Sequence, residues 1–179
     1  MPKIILNLRE NILKESKKIL KTEGYEKLTV RRVAKLCGVA VGTVYNYFPS
    51  KEMLTAGVML DDWNKSLGDM RKAALAAASP MKGLEEICSL IRRFVGEYTE
   101  TWEQYRSRGV NNAQSPYRHQ ILVTQIAEAV TVLLERFGGI FCEQLPAFLA
   151  ENLLILASGS EEDMAKAAPI FEKLLAKTE

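Results

Sequence analysis

A single histidine and three scattered cysteines leave this chain of 179 residues little material for metal or redox chemistry. His119 has no second histidine and no nearby cysteine to share a metal with, and no G-x-S-x-G run supplies a nucleophile for it to activate. Neither catalysis, nor a metal site, nor a cofactor is therefore expected. Cys37, Cys88 and Cys142 are odd in number and far apart, with no C-x-x-C pair, which speaks against a disulfide framework and leaves core thiols as the expected role. No apolar run approaches the roughly eighteen residues of a membrane span, and the N-terminus lacks a secretory apolar segment. The expectation is a cytoplasmic protein with no membrane partner. Strand-like alternation is missing too, while helical periodicity recurs throughout, so the expected class is all-α.

What is present is concentrated between Gly38 and Leu54, which read GVAVGTVYNYFPSKEML. Gly38 can take the left-handed backbone that ends one helix and turns the chain steeply into the next. Pro49 stops the short helix that follows, Ser50 caps another and Lys51 opens it. At about 100° per residue over Ala40–Phe48, Val44 and Phe48 share the inward side with Tyr47 on its flank. Gly42 and Asn46 fall opposite, flanked by Thr43 and Tyr45. That outward surface is small, polar and aromatic, which suits a major groove. Gly42 lets backbone approach a duplex, Thr43 offers a hydroxyl and a methyl, Asn46 can bond a base edge or phosphate, and the tyrosine hydroxyls can reach either. Val41 leans toward the core, yet its place at the helix start can set it against a thymine methyl.

Charge is distributed to match. Residues 1–51 hold eleven Lys/Arg against four Asp/Glu, a net +7, whereas the whole chain carries +2, so the remainder is −5. A phosphate backbone rewards such a basic segment through counterion release. Lys3, Arg9, Arg31, Arg32, Lys35 and Lys51 lie at or near the starts of three predicted helices, where backbone N–H groups also favour anions.

These residues, with EGYEKLTVRRVAKLC before them, resemble the DNA-binding domain of TetR-family transcriptional regulators over about residues 7–60. The run keeps the family's G-x-x-x-G-T-x-Y-x-Y-F-x-S-K-E pattern. The resemblance implies a three-helix head, a long connecting helix, and an all-helical C-terminal domain that dimerises and often holds a small effector. Carried over by position, the family's phosphate and base contacts fall on Thr29, Val41, Gly42, Thr43, Tyr45, Asn46, Tyr47 and Lys51; charge adds Arg31 and Arg32. The family often has a polar residue where this chain has Val41.

Along the chain, Leu8, Ile12, Leu13, Ile19 and Leu20 stripe a first helix, about Leu6–Thr22, which Gly24 ends. Thr29 caps a second, Val30–Cys37. After Ser50 a long helix keeps its period to about Ala78, roughly 40 Å at 1.5 Å per residue, enough to join a basic head to an acidic body. Ser79-Pro80 and Ser115-Pro116 each set a capping hydroxyl before a proline, starting helices that run to about Tyr105 and Phe137 with a polar connector, Arg106–Gln114, between them. Pro146 opens another helix ending at Ser158-Gly159, and Ser160 with Glu161, Glu162 and Asp163 starts the last.

The expected architecture is thus a three-helix helix-turn-helix head, residues 1–50, and a helical effector-binding and dimerisation bundle, residues 51–179. Phe148, Leu149, Leu153 and Leu156, then Met164, Ala168, Phe171, Leu174 and Leu175, form two apolar stripes. They could finish the monomer core, but a four-helix interface with a second copy is favoured, because two half-sites need two heads. Met59, Trp63, Met70, Phe94, Tyr98, Trp102, Tyr105, His119 and Gln125 are candidate pocket residues for an aromatic or amphipathic effector. The leading expectation is a homodimeric repressor on a short palindrome in double-stranded DNA, released by a small molecule. An architectural DNA binder of low sequence preference, or a helical interaction module, remain alternatives.

Overall fold

The computed structural model describes residues 7–107, 116–138 and 142–176, the side chains of 105–107 and 116–117 excepted. Among these residues there are eight α-helices and no strand: α1 (Leu8–Glu23), α2 (Val30–Cys37), α3 (Val41–Tyr47), α4 (Lys51–Ala76), α5 (Pro80–Ser107), α6 (Pro116–Arg136), α7 (Leu145–Ala157) and α8 (Glu161–Leu175). A 3-10 turn, Tyr25–Lys27, links α1 to α2. Most of the expected polar connector after Tyr105 lies outside the described residues, and α5 itself continues to Ser107.

Local chemistry sets the boundaries. Thr29 has extended backbone and its hydroxyl accepts the Arg32 N–H at 3.2 Å, satisfying one of the donors a helix start leaves unpaired. Ser50 does the same for Met53 at 3.1 Å, and Ser79 for Lys82 at 3.2 Å. Phe48 ends α3 with φ −138° and ψ 95°, the extended conformation that a following proline imposes. Ser160 and Asp163 close a capping box on α8, with the Asp163 carboxylate accepting from the Ser160 N–H at 2.8 Å and from its hydroxyl at 2.9 Å. Those bonds hold the Asp163 carboxyl below its ordinary range.

The chain divides into two compact units, Met1–Trp63 with Glu97–Val110, and Asn64–Gly96 with Asn111–Glu179. The first therefore extends beyond the expected limit at residue 50. Its core explains why: Ile12, Leu13, Ile19 and Leu20 of α1, Val33, Ala34 and Cys37 of α2, Val44 of α3 and Phe48 pack with Leu54 and Val58, which belong to α4. Each large aliphatic side chain so buried contributes about 1.5–3 kcal/mol. Gly57 allows this packing, since a Cβ there would lie 2.6 Å from Phe48 Cε1 and 3.3 Å from Leu13 Cδ2.

A polar clasp completes the unit. Asp62 is only 6% exposed, and a buried carboxylate must be compensated. Lys17 Nζ reaches it at 2.6 Å from α1, and the buried Tyr98 hydroxyl donates to it at 2.5 Å from α5. Lys21 pairs with Glu97 at 2.7 Å beside them.

In the second unit, Leu84, Ile87, Cys88 and Ile91 of α5, Ile126, Val130 and Leu133 of α6, Leu149 and Leu153 of α7, and Met164 and Phe171 of α8 are buried. Arg92 donates to the carbonyls of Leu156 and Ser160, at 3.0 Å each, and so holds the turn between α7 and α8. Cys37 and Cys88 are core thiols, with burial pushing both upward, but Cys142 is exposed rather than buried, because it precedes α7 outside any packed face.

Candidate nucleic-acid interface

The turn between α2 and α3 is built by its glycine. Gly38 has φ 67° and ψ 32°, its N–H donates to Lys35 O at 3.3 Å, and the Val39 N–H reaches back to Ala34 O at 3.0 Å. This paired closure satisfies the last carbonyls of α2 and redirects the chain within two residues. α3 then presents two faces. Val44 is fully buried and Phe48 nearly so, while Val41 is half-buried against the head core. On the other side Gly42, Tyr45, Asn46 and Tyr47 are exposed, with the two tyrosines at 47% and 45%, and Thr43 is half-buried. A Cβ added to Gly42 would meet nothing within 4 Å. The outward face therefore owes its lowest point to no constraint inside the protein.

Flanking groups are less uniform than their charges suggest. Thr29 is exposed and uses an oxygen lone pair for its cap, so its hydroxyl proton stays available to a phosphate. Arg31 and Lys35 are exposed. Arg32 is committed: its two terminal nitrogens bond the Glu23 carboxylate at 2.8 and 2.5 Å, which lowers the Glu23 carboxyl from its ordinary value. Lys51 Nζ lies 3.9 Å from the centre of the Tyr25 ring, and Arg9 sits over Phe48 at 5.7 Å. Lys3 lies outside the described residues. The Glu23 pairing could not be read from the sequence, because its partners occupy different helices and no periodic spacing marks them.

The pocket candidates are distributed over both units. Met59, Trp63 and Tyr98 are buried and Trp102 half-buried in the first unit; Met70 is buried and Phe94 half-buried in the second. His119 is exposed and its Nε2 lies 2.8 and 2.9 Å from the two Glu151 oxygens, while Gln125 is half-buried. The Tyr105 side chain lies outside the described residues. A groove of about 620 Å³ runs along α7 and α8, lined by apolar Ile155, Leu156, Ala167 and Ile170 with polar Asp163 and Lys166, and none of the pocket candidates contributes to it.

The hairpin residues divide as well. Leu149, Leu153, Met164 and Phe171 are buried within the protomer; Leu156, Ala168 and Leu175 are half-buried; Phe148 and Leu174 are exposed at 51% and 42%. Ile155 and Ile170, each 62% exposed, were not singled out from the sequence although they dominate the outer apolar surface. Among the described residues no group of three metal-ligating side chains gathers, and no helix is long and apolar enough to cross a membrane.

Helix-turn-helix heads of this kind occur in DNA-binding transcriptional regulators. Residues 12–58 match the family profile described as bacterial regulatory proteins, tetR family. The HTH-type transcriptional repressor KstR of Mycolicibacterium smegmatis is 34% identical over 85 residues, 48% of this chain and 42% of KstR. This chain thus spans about two fifths of that repressor's length. The HTH-type transcriptional regulator UidR of Escherichia coli K12 is 23% identical over 183 residues, covering 94% of this chain and 89% of UidR. A crystal structure of a TetR-family transcriptional regulator from Pectobacterium atrosepticum shares the fold, with a TM-score of 0.63 at 18% identity over 93% of this chain and 91% of that one. Regulators of this family are DNA-binding proteins rather than enzymes, and they generally act as dimers, sometimes with small-molecule effectors.

Proposed function

We propose that this protein is a homodimeric, sequence-specific repressor that occupies a short palindromic operator by inserting α3 of each head into the major groove. The observation that carries this reading is the outward face of α3: exposed Gly42, Tyr45, Asn46 and Tyr47 opposite a fully buried Val44. A short helix gains nothing for folding from that face. Arg31 and Lys35, with the Thr29 hydroxyl, Lys51 and the Tyr45 and Tyr47 hydroxyls, supply phosphate contacts that fix register, and α3 reads bases. Arg32 contributes mainly by holding α2 to Glu23 of α1.

Two heads require two copies. The exposed Phe148, Ile155, Ile170 and Leu174, with the groove along α7 and α8, supply an apolar surface for the partner's matching hairpin. Small-molecule release follows the family's habit: an effector that binds one conformation of the body better than another shifts DNA affinity by no more than that difference. A protein with this task works in the cytoplasm, where the chromosome is.

Selection of bound fragments from a random duplex pool tests the reading directly. A repressor should yield a palindromic motif and bind it roughly a thousandfold or more tighter than random competitor. Tyr45→Ala and Asn46→Ala should each weaken binding by about 1–3 kcal/mol for every base-edge interaction removed, with the fold intact. A salt-sensitive binder with no recoverable motif would instead be architectural.

A further inference from the structure

We infer that the base pairs lying under α3 are A·T pairs, read by the Asn46 amide and by the methyl groups of Val41 and Thr43. This inference rests on the reading of α3 as the groove-inserted helix and names the class of operator that helix selects. Each base edge in the major groove asks for a particular partner. Guanine is met best by a bidentate arginine or lysine, cytosine by a carboxylate, adenine by the paired donor and acceptor of an Asn or Gln amide, and the thymine 5-methyl by an apolar group.

From Val41 to Tyr47, α3 holds neither a cation nor a carboxylate. Of the cations flanking α3, Arg32 is bound to Glu23, Arg9 lies over Phe48 and Lys51 lies over Tyr25, while the exposed Arg31 and Lys35 stand on α2 and are assigned to phosphates, so none is placed on the reading face itself. What α3 does expose is the Asn46 amide, on the side opposite buried Val44, with the Gly42 backbone beside it to let the helix ride close. Val41 is half-buried against the head core, so its outer methyl is held in one place instead of swinging on a free side chain. Thr43, likewise half-buried, brings a second methyl with a hydroxyl that can serve either base pair. The tyrosine hydroxyls discriminate poorly, so they do not supply the missing guanine reader.

The test starts from the selected duplex and swaps each half-site base pair singly, measuring fluorescence anisotropy with wild type, Asn46→Ala and Val41→Ala. A second series replaces each thymine by uracil, which removes only the 5-methyl group. Wild type should lose roughly ten- to a hundredfold when the adenine facing Asn46 becomes guanine, and Asn46→Ala should level that preference. At least one thymine-to-uracil replacement should weaken wild type severalfold yet leave Val41→Ala unchanged. Should Val41→Ala fold poorly, the uracil series on wild type still decides the methyl contact. A guanine or cytosine at the positions that these variants level, or uracil bound as tightly as thymine everywhere, overturns the inference while leaving DNA reading by α3 intact. Base preferences that no α3 substitution alters, or no preferred duplex at all, would remove the underlying reading instead.

Discussion

Replacing Gly42 with alanine separates what the protein needs from what DNA needs. In the free protein an added Cβ meets nothing within 4 Å, and Gly42 is not among the glycines with positive φ. Alanine restricts the unfolded chain and favours helix, so the variant should gain about 0.5 kcal/mol, taking the low end because the site is in the first turn. For a chain of this size that raises Tm by about 1–2 °C. On DNA the same methyl group holds the helix off the groove floor by on the order of 1 Å, enough to stretch base-edge hydrogen bonds past their useful range of about 3.2 Å. Breaking one such hydrogen bond costs about 1–3 kcal/mol, hence roughly ten- to a hundredfold in affinity. Thermal melting followed by circular dichroism and anisotropy titration on the selected operator give both quantities from one preparation. Undiminished operator affinity would refute close backbone approach at Gly42, and a lowered Tm would refute the open space described around it.

Gly57→Ala should behave oppositely, because its Cβ would press on Phe48 Cε1 and Leu13 in a closed core; about 1–3 kcal/mol of stability should be lost in denaturant melts. Tyr98→Phe should cost about 1.5–3 kcal/mol near neutral pH by removing the hydroxyl that donates to Asp62. Burial, and then the Asp62 carboxylate, push the Tyr98 phenol well above its ordinary value, so its stabilisation is complete below about pH 10 and fades as pH rises beyond that. The stability gap between wild type and Tyr98→Phe should therefore narrow in alkaline melts; a gap that widens would reverse the assignment. Ile155→Glu with Ile170→Glu changes two side chains each 62% exposed in the protomer, so sedimentation should report a folded monomer with weakened operator binding.

Much of the head was legible because its signals are local. Thr29 and Gly38 mark both ends of α2 through bonds that span three to five residues, and Ser50, Ser79 and Ser160 announce the next helices in the same way. The exposed face of α3 follows from angle once Val44 is placed inward, except at Tyr47, which the angle sets on the inward flank and which is 45% exposed. Partnerships across long separations were not legible: Asp62 finds Lys17 and Tyr98 at distances of 45 and 36 residues, and nothing in the helical period of α4 says which neighbour it will meet. The same limit hid the extension of the first unit to Trp63, since periodicity shows that Leu54 and Val58 face inward without saying which core they join. α7 posed another difficulty. LPAFLAENLLILA is apolar on almost every side, so pattern cannot separate Leu149 and Leu153, buried in the protomer, from Ile155, which points away from it.

If the protein reads DNA as proposed, the carboxylate that answers Arg32 has a consequence for how it searches a genome. A charge already satisfied at home releases no counterion on arrival at a random stretch of duplex, which takes about 0.9 from the log–log salt slope of each head. The phosphate grip is loosened by that amount on operator and random sequence alike, so the preference between them rests on the uncharged side chains of α3. Time lost on wrong addresses falls accordingly.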